Sequence, residues 1–229
     1  MIKKILNNIL TVILLAVSFA TGFLWQEKDF KANPPEDKWT VVIDPGHGGI
    51  DPGKVGTNDV VEKDINLQIA LKLQKTLEEN GVSVVLTRTT DVGLYSEADD
   101  NKKSADMKAR CEIIAQVLPD AVISIHQNSF TDNSVCGAQV FYYNGSKKGE
   151  ALGSYIQKRL VEIEGMNPRN AKANNEYYML TKTTSPTVIV ECGFLSNEKE
   201  AQLLCDEAYQ YEIATAICAG TIDFLNGND

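Results

Sequence analysis

Short apolar runs rich in β-branched residues alternate along this chain with longer stretches in which apolar residues recur every three or four positions. The short runs predict strands at Thr40 to Asp44, Val82 to Thr87, Ala121 to His126, Ala138 to Tyr143 and Thr187 to Val190, each too brief for a helix and bounded by turn formers. The longer stretches predict helices. One begins near Lys63, where Ile65, Ile69, Leu73 and Leu77 repeat at a spacing of four until Gly81 signals a stop. Others run from Met107 to Val117 ahead of Pro119, from Gly149 to Glu162 on a stripe of Leu152, Tyr155, Ile156 and Leu160, and through Glu198 to Cys205 and Glu207 to Leu225. The polar, acidic stretch from Thr89 to Ser104 reads as a long loop or lid, and Asn167 to Glu176, with Pro168 and four asparagines, as a surface loop. Strands alternating with helices imply an α/β fold: a mixed, largely parallel sheet with helices on both faces.

The first 25 residues break this pattern. Lys3 and Lys4 precede a run from Ile9 to Trp25 that carries no charge, the form of an export signal. Ser18-Phe19-Ala20 loosely resembles a cleavage site, but the run continues through Phe23, Leu24 and Trp25, at the short end of what crosses a bilayer. Residues 1–25 are therefore read as a signal peptide or a membrane anchor, residues 26–38, with Pro34 and Pro35, as a linker, and residues 39–229 as a single catalytic domain. Either reading of the first segment puts the body outside the cytoplasm, secreted or membrane-anchored.

With 229 residues there is no room for a second module, and a formal charge of −9 argues against a nucleic-acid or anionic-membrane partner for the body. Five cysteines are an odd number for an exported chain, so at least one stays free or pairs between molecules. Cys111, Cys205 and Cys218 fall on apolar helical faces and are expected in the core.

The chain has only two histidines, and both stand where an apolar run breaks into polar sequence. His47 follows Val41-Val42-Ile43 through a glycine-rich turn, and His126 ends Val122-Ile123-Ser124-Ile125. Functional groups in α/β proteins gather where strands stop, and neutral imidazole is the commonest metal ligand. A hydrolytic zinc needs three protein ligands and one open position. Glu62, just ahead of the first long helix, is well placed as the third. Asp44 and Asp51 compete for that role, and Asp44 also fits an orienting position beside His47 or its turn. Glu191 follows a strand buried on both faces and meets the same sheet edge, where a carboxylate can move a proton from water to a leaving amine. Its other reading is as a cap for the helix after Asn197. Cys192 with His126 as base defines a rival, a cysteine-type peptidase or amidase, but this leaves His47 without a role.

Val42-Ile43-Asp44-Pro45-Gly46-His47-Gly48-Gly49, Glu62-Lys63-Asp64-Ile65-Asn66-Leu67, Thr87-Arg88, Ser124-Ile125-His126 and Val190-Glu191-Cys192-Gly193-Phe194-Leu195-Ser196-Asn197 together resemble the zinc-dependent N-acetylmuramoyl-L-alanine amidases, in order, from about Trp39 to Leu225. The resemblance implies one zinc held by His47, Glu62 and His126, with Glu191 as the catalytic carboxylate. It also implies a peptidoglycan substrate, cut between N-acetylmuramic acid and L-alanine. Arg88 and Arg110 match family positions and are expected to brace the sheet and its loops. Gln127 departs from the pattern, where many members carry a small residue. The length, the N-terminal segment and the absence of wall-binding repeats resemble the germination-specific spore-cortex amidases, which prepare muramic-δ-lactam. A vegetative autolysin of the same chemistry is the neighbouring reading. Lacking a wall-binding module, the enzyme is expected to need a protein partner that delivers or activates it.

Overall fold

The computed structural model describes residues 38–56 and 59–227. The expected signal or anchor, and all but the last residue of the expected linker, lie outside the described residues. Among the described residues, no helix is long and apolar enough to cross a membrane.

Six strands form one sheet: β1 (Trp39–Pro45), β2 (Val82–Leu86), β3 (Ala121–Asn128), β4 (Gln139–Tyr143), β5 (Lys172–Asn174) and β6 (Thr187–Phe194). Their order is β2-β1-β3-β6-β4-β5. β2, β1, β3 and β6 run parallel, whereas β4 lies antiparallel to β6 and pairs in parallel with β5. Among the described residues, six helices complete the unit: α1 (Glu62–Glu79), α2 (Lys102–Val117), α3 (Lys147–Leu160), α4 (Tyr178–Lys182), α5 (Glu198–Leu204) and α6 (Glu207–Leu225). The mixed, largely parallel α/β architecture read from the pattern is the one observed.

Side chains alternate faces along a strand, and here the alternation divides the core unequally. Val41, Ile43, Ile123, Ile125, Val188, Val190 and Cys192 join the large cluster that takes in Ile65, Ile69, Leu73 and Leu77 of α1 together with residues of α3 and α6. Each of those α1 side chains is at most 3% exposed, and full burial of such a residue is worth about 1.5–3 kcal/mol. The helices on this face pack closely: a Cβ on Gly220 of α6 would come within 2.5 Å of the Ile156 Cα of α3. The opposite face buries a smaller cluster of Val42, Val122 and Ile189 under Ile114 of α2 and Met179 and Leu180 of α4. By parity, Asp44, Ser124, His126 and Glu191 belong to this thinly covered face, at the C-terminal ends of the parallel strands, and that is where the cleft opens.

Two boundaries and two short elements depart most from expectation. α2 begins at Lys102 and not near Met107, because Asn101 accepts the Ser104 amide as an N-cap and the first turn is solvent-facing, with no apolar stripe to announce it. The loop before it is correspondingly shorter. β6 runs to Phe194, four residues past Val190, so that Glu191 lies inside the strand, opposite His126 on one side and Gln139 on the other. The expected surface loop at 167–176 contains β5, a three-residue strand held by its pairing with β4. The five-residue α4 went unpredicted, being too short for a helical period.

Candidate active site

The turn after β1 sets the first wall. Gly46 donates its amide to the Ile125 carbonyl and presses against β3 so closely that a Cβ there would sit 2.2 Å from the His126 ring. His47 then takes a left-handed backbone, φ 62°, which is uncommon outside glycine and costs about 1–3 kcal/mol. Three contacts hold it: the reciprocal amide bonds of Gly48 and Asp51, and Arg110, whose Nη2 donates to the His47 carbonyl at 2.6 Å.

His47 Nε2 lies 3.2 Å from Glu62 Oε1, and His126 Nδ1 lies 3.0 Å from the same oxygen. The two rings meet edge to face with centroids 4.9 Å apart. One donor atom from each of His47, Glu62 and His126 falls within 4.8 Å of the others, a set that could hold a metal ion. Glu62, the first residue of α1, is fixed by the Lys54 amide on Oε2 at 2.7 Å and the Gln127 amide on Oε1 at 3.0 Å. Burial opposes its ionisation, but hydrogen bonds and Coulomb attraction from His126 and His47 outweigh this and hold its pKa far below the usual carboxylate range.

The competing aspartates separate cleanly. Asp51 Oδ2 stands 3.0 Å from His47 Nδ1, the ring nitrogen turned away from Glu62, and Lys103 reaches the same oxygen at 3.2 Å. This is the arrangement in which a carboxylate orients a metal-ligating histidine. Asp44 touches neither histidine. It accepts from Thr87, Ser124 and Arg110, and it reaches the turn only through Arg110, which also binds the Pro45 carbonyl. Arg88 donates to the carbonyls of Pro45, Gly46, Lys63 and Thr90. Arg110 Nε also donates to Asp106 Oδ2 at 2.6 Å, and both arginines are buried braces, as expected.

Glu191 forms the second wall. It is 6% exposed, and burial pushes its pKa up; Glu62 adds to this, while His126, the Tyr177 hydroxyl and His47 act against it. Tyr177 donates to Oε1 at 3.0 Å, whereas Oε2 is buried with no hydrogen-bond partner among the described residues; Glu191 lines a cavity of about 510 Å³. His47, Glu62, His126, Gln127 and Tyr178 share that cavity's lining. The capping reading of Glu191 fails, because Asn197 itself caps α5 through the Glu200 amide. Cys192 points to the opposite face, is fully buried, and has its thiol pKa pushed far up by burial, so it offers no nucleophile to this cavity. All five cysteines are free thiols; Cys218 is core, but Cys111 is only half-buried and Cys205, at the C-cap of α5, is exposed, contrary to expectation.

Two participants escaped sequence reasoning. The sequence offers Asp51 as a ligand, and its spacing of four from His47 across a glycine turn suits an orienting contact as well. Tyr177 left no signal, since it borders a polar, asparagine-rich stretch.

The chain belongs to the N-acetylmuramoyl-L-alanine amidase family, which it matches over residues 41–223. It is accordingly an N-acetylmuramoyl-L-alanine amidase acting on peptidoglycan. Among curated relatives, it is 32% identical over 224 residues to the germination-specific N-acetylmuramoyl-L-alanine amidase of Bacillus subtilis, covering 96% of this chain and 92% of that one. Among solved structures, it resembles the CwlD amidase of Clostridioides difficile, determined in complex with the GerS lipoprotein. That match has a TM-score of 0.80 and 40% identity, over 82% of this chain and 99% of the other. The AmiC2 amidase of Nostoc punctiforme matches with a TM-score of 0.72 and 33% identity, over 82% and 97%.

Proposed function

We propose that this enzyme is a zinc-dependent amidase of the spore cortex, which removes stem peptides from N-acetylmuramic acid so that muramic-δ-lactam can form. The observation that carries the chemistry is the meeting of His47 Nε2, His126 Nδ1 and Glu62 Oε1 beside a buried Glu191 whose Oε2 is unpartnered. Two imidazoles and one carboxylate, with a cavity on the fourth side, suit a catalytic zinc. A zinc ion held there would polarise the lactyl carbonyl and acidify the attacking water.

The chain's own residues do the rest. Asp51 accepts from His47 Nδ1, which leaves Nε2 bare and aimed at Glu62. Glu191 Oε2 takes the proton from water as it attacks the carbonyl carbon. When the carbon–nitrogen bond breaks, Oε2 returns that proton to the L-alanine nitrogen, so the stem peptide leaves as a neutral amine. Burial favours this exchange by making the carboxylate a stronger base than one in water.

The cortex role is supported by the near full-length match to a germination-specific amidase and by the likeness to the CwlD amidase. The N-terminal 25 residues act as an export signal or anchor, so the domain works outside the cytoplasm, in the space around the forespore. A protein partner that delivers or activates the enzyme is part of this reading, and the lipoprotein bound to the CwlD amidase is the kind of partner expected. The test is purified peptidoglycan treated with enzyme stripped of metal and then resupplied with zinc, with and without a candidate partner. New N-terminal alanine should appear only with zinc. Cortex from spores lacking the gene should be short of muramic-δ-lactam, whereas unchanged cortex with defective cell separation would favour a vegetative role.

A further inference from the structure

Glu191 has two oxygens in unlike surroundings, and a single side chain makes the difference. Tyr177 donates its hydroxyl to Oε1 at 3.0 Å, and no group among the described residues hydrogen-bonds to Oε2. A buried carboxylate with one free oxygen can rotate about its last bond, which interchanges the two positions and blurs the geometry of proton transfer. We infer that Tyr177 is the positioning residue for Glu191: its phenol pins Oε1 so that Oε2 alone addresses the reacting water and amine. This rests on the reading of Glu191 as the proton carrier.

The surroundings hold Tyr177 as a fixed donor. Its ring packs on Phe141 of β4, centroids 5.5 Å apart at 53°. Its backbone is set from the other side by Asn174, the last residue of β5, whose side-chain oxygen accepts the Glu176 and Tyr177 amides at 2.7 and 3.1 Å. β5 is itself registered to β4, with Tyr143 opposite Asn174, and β4 to β6, with Gln139 opposite Glu191. A short strand and a five-residue helix thereby place one hydroxyl against one carboxylate, which gives β5 and α4 a purpose beyond covering the sheet.

The experiment is a double-mutant cycle at equal zinc content, read as kcat and KM on a soluble muropeptide. Tyr177→Phe keeps the ring on Phe141 and removes only the hydroxyl. A hydrogen bond to a charged group sets the scale, so kcat should fall roughly ten- to thirtyfold with KM nearly unchanged. In the Glu191→Gln background the same substitution should be almost silent, because the proton carrier it serves is already gone. Asn174→Ala, which touches neither Glu191 nor the Tyr177 ring, gives a second cycle free of any packing loss at Tyr177: a smaller fall in kcat, again silent with Glu191→Gln. Equal falls in both backgrounds, or a change confined to KM, would overturn the positioning role while leaving Glu191 in the mechanism. A Glu191→Gln enzyme that turns over normally would instead remove the reading on which the inference stands.

Discussion

Glu62 and Glu191 are 3% and 6% exposed and line the same cavity, yet the walls that carry them offer a carboxylate very different company. The wall built from the β1 turn and α1 surrounds Glu62 with the Lys54 and Gln127 amides and two imidazoles. Its charge is satisfied, and its pKa lies far down. The wall built from β6 and α4 gives Glu191 one phenol and leaves an oxygen bare, and its pKa lies above the ordinary value. On the proposed reading these environments divide the work: Glu62 stays anionic to bind and Glu191 exchanges protons. Both sit on one fold because alternation along β3 and β6 sends His126 and Glu191 to the same face, while α1 delivers Glu62 from the end of the β1 turn.

If the first wall binds metal, His126→Ala should have the largest effect on it. Two remaining ligands make a weak site, so bound zinc and turnover should disappear together. Stoichiometric zinc in the purified variant, measured by elemental analysis, would break the division at once.

Beneath that wall, Asp44 and Arg110 are each 1% exposed and 2.7 Å apart. Asp44→Asn leaves the buried Arg110 guanidinium with Asp106 alone as counter-charge and should destabilise the fold by about 3 kcal/mol in urea melts at pH 7, the low end for a broken buried pair. Burial raises the Asp44 pKa, but Arg110, Thr87 and Ser124 together pull it below the ordinary carboxylate value. The linked stability is therefore present above the unfolded pKa, about 4, and lost as pH falls through the lower folded value. The gap between wild type and variant should narrow on acidification. A gap independent of pH would assign the loss to packing instead of charge.

Asp51→Asn tests a finer part of the same wall. Orienting partners of this kind are worth roughly ten- to a hundredfold in metal affinity. Competition with a chelator should show that loss, and excess zinc should restore most of the rate. The smallest effect is expected at Cys192→Ser. It should retain most of its turnover and lose about 1–3 kcal/mol of stability, because a serine hydroxyl replaces a fully buried thiol in apolar surroundings. Loss of activity with fold and zinc intact would bring back the cysteine mechanism.

The same two walls differ in how much of them was legible beforehand. The β1 strand, its glycine turn and α1 were readable because a buried strand leaves an unbroken apolar run and a core helix leaves a spacing of four. With two histidines in the chain, their positions at strand ends narrowed the site to one edge of the sheet. Three acidic residues, Asp44, Asp51 and Glu62, stood close enough to His47 to ligate, and only the folded turn separates brace from orienter from ligand. The other wall was harder. β5 and α4 are three and five residues long and held by tertiary pairing, which no local period records. The exposed first turn of α2 was hidden for a similar reason, since its start depends on the Asn101 cap and not on an apolar face.

If binding and proton transfer rest on separate carboxylates, Glu191→Gln should remove one and spare the other. The amide keeps the shape and can still accept from Tyr177, but it cannot take up a proton under working conditions. Zinc content and melting temperature should match the wild type, while release of N-terminal alanine from peptidoglycan falls by about a hundred- to ten-thousandfold. Near-normal turnover, or zinc lost along with activity, would contradict the account.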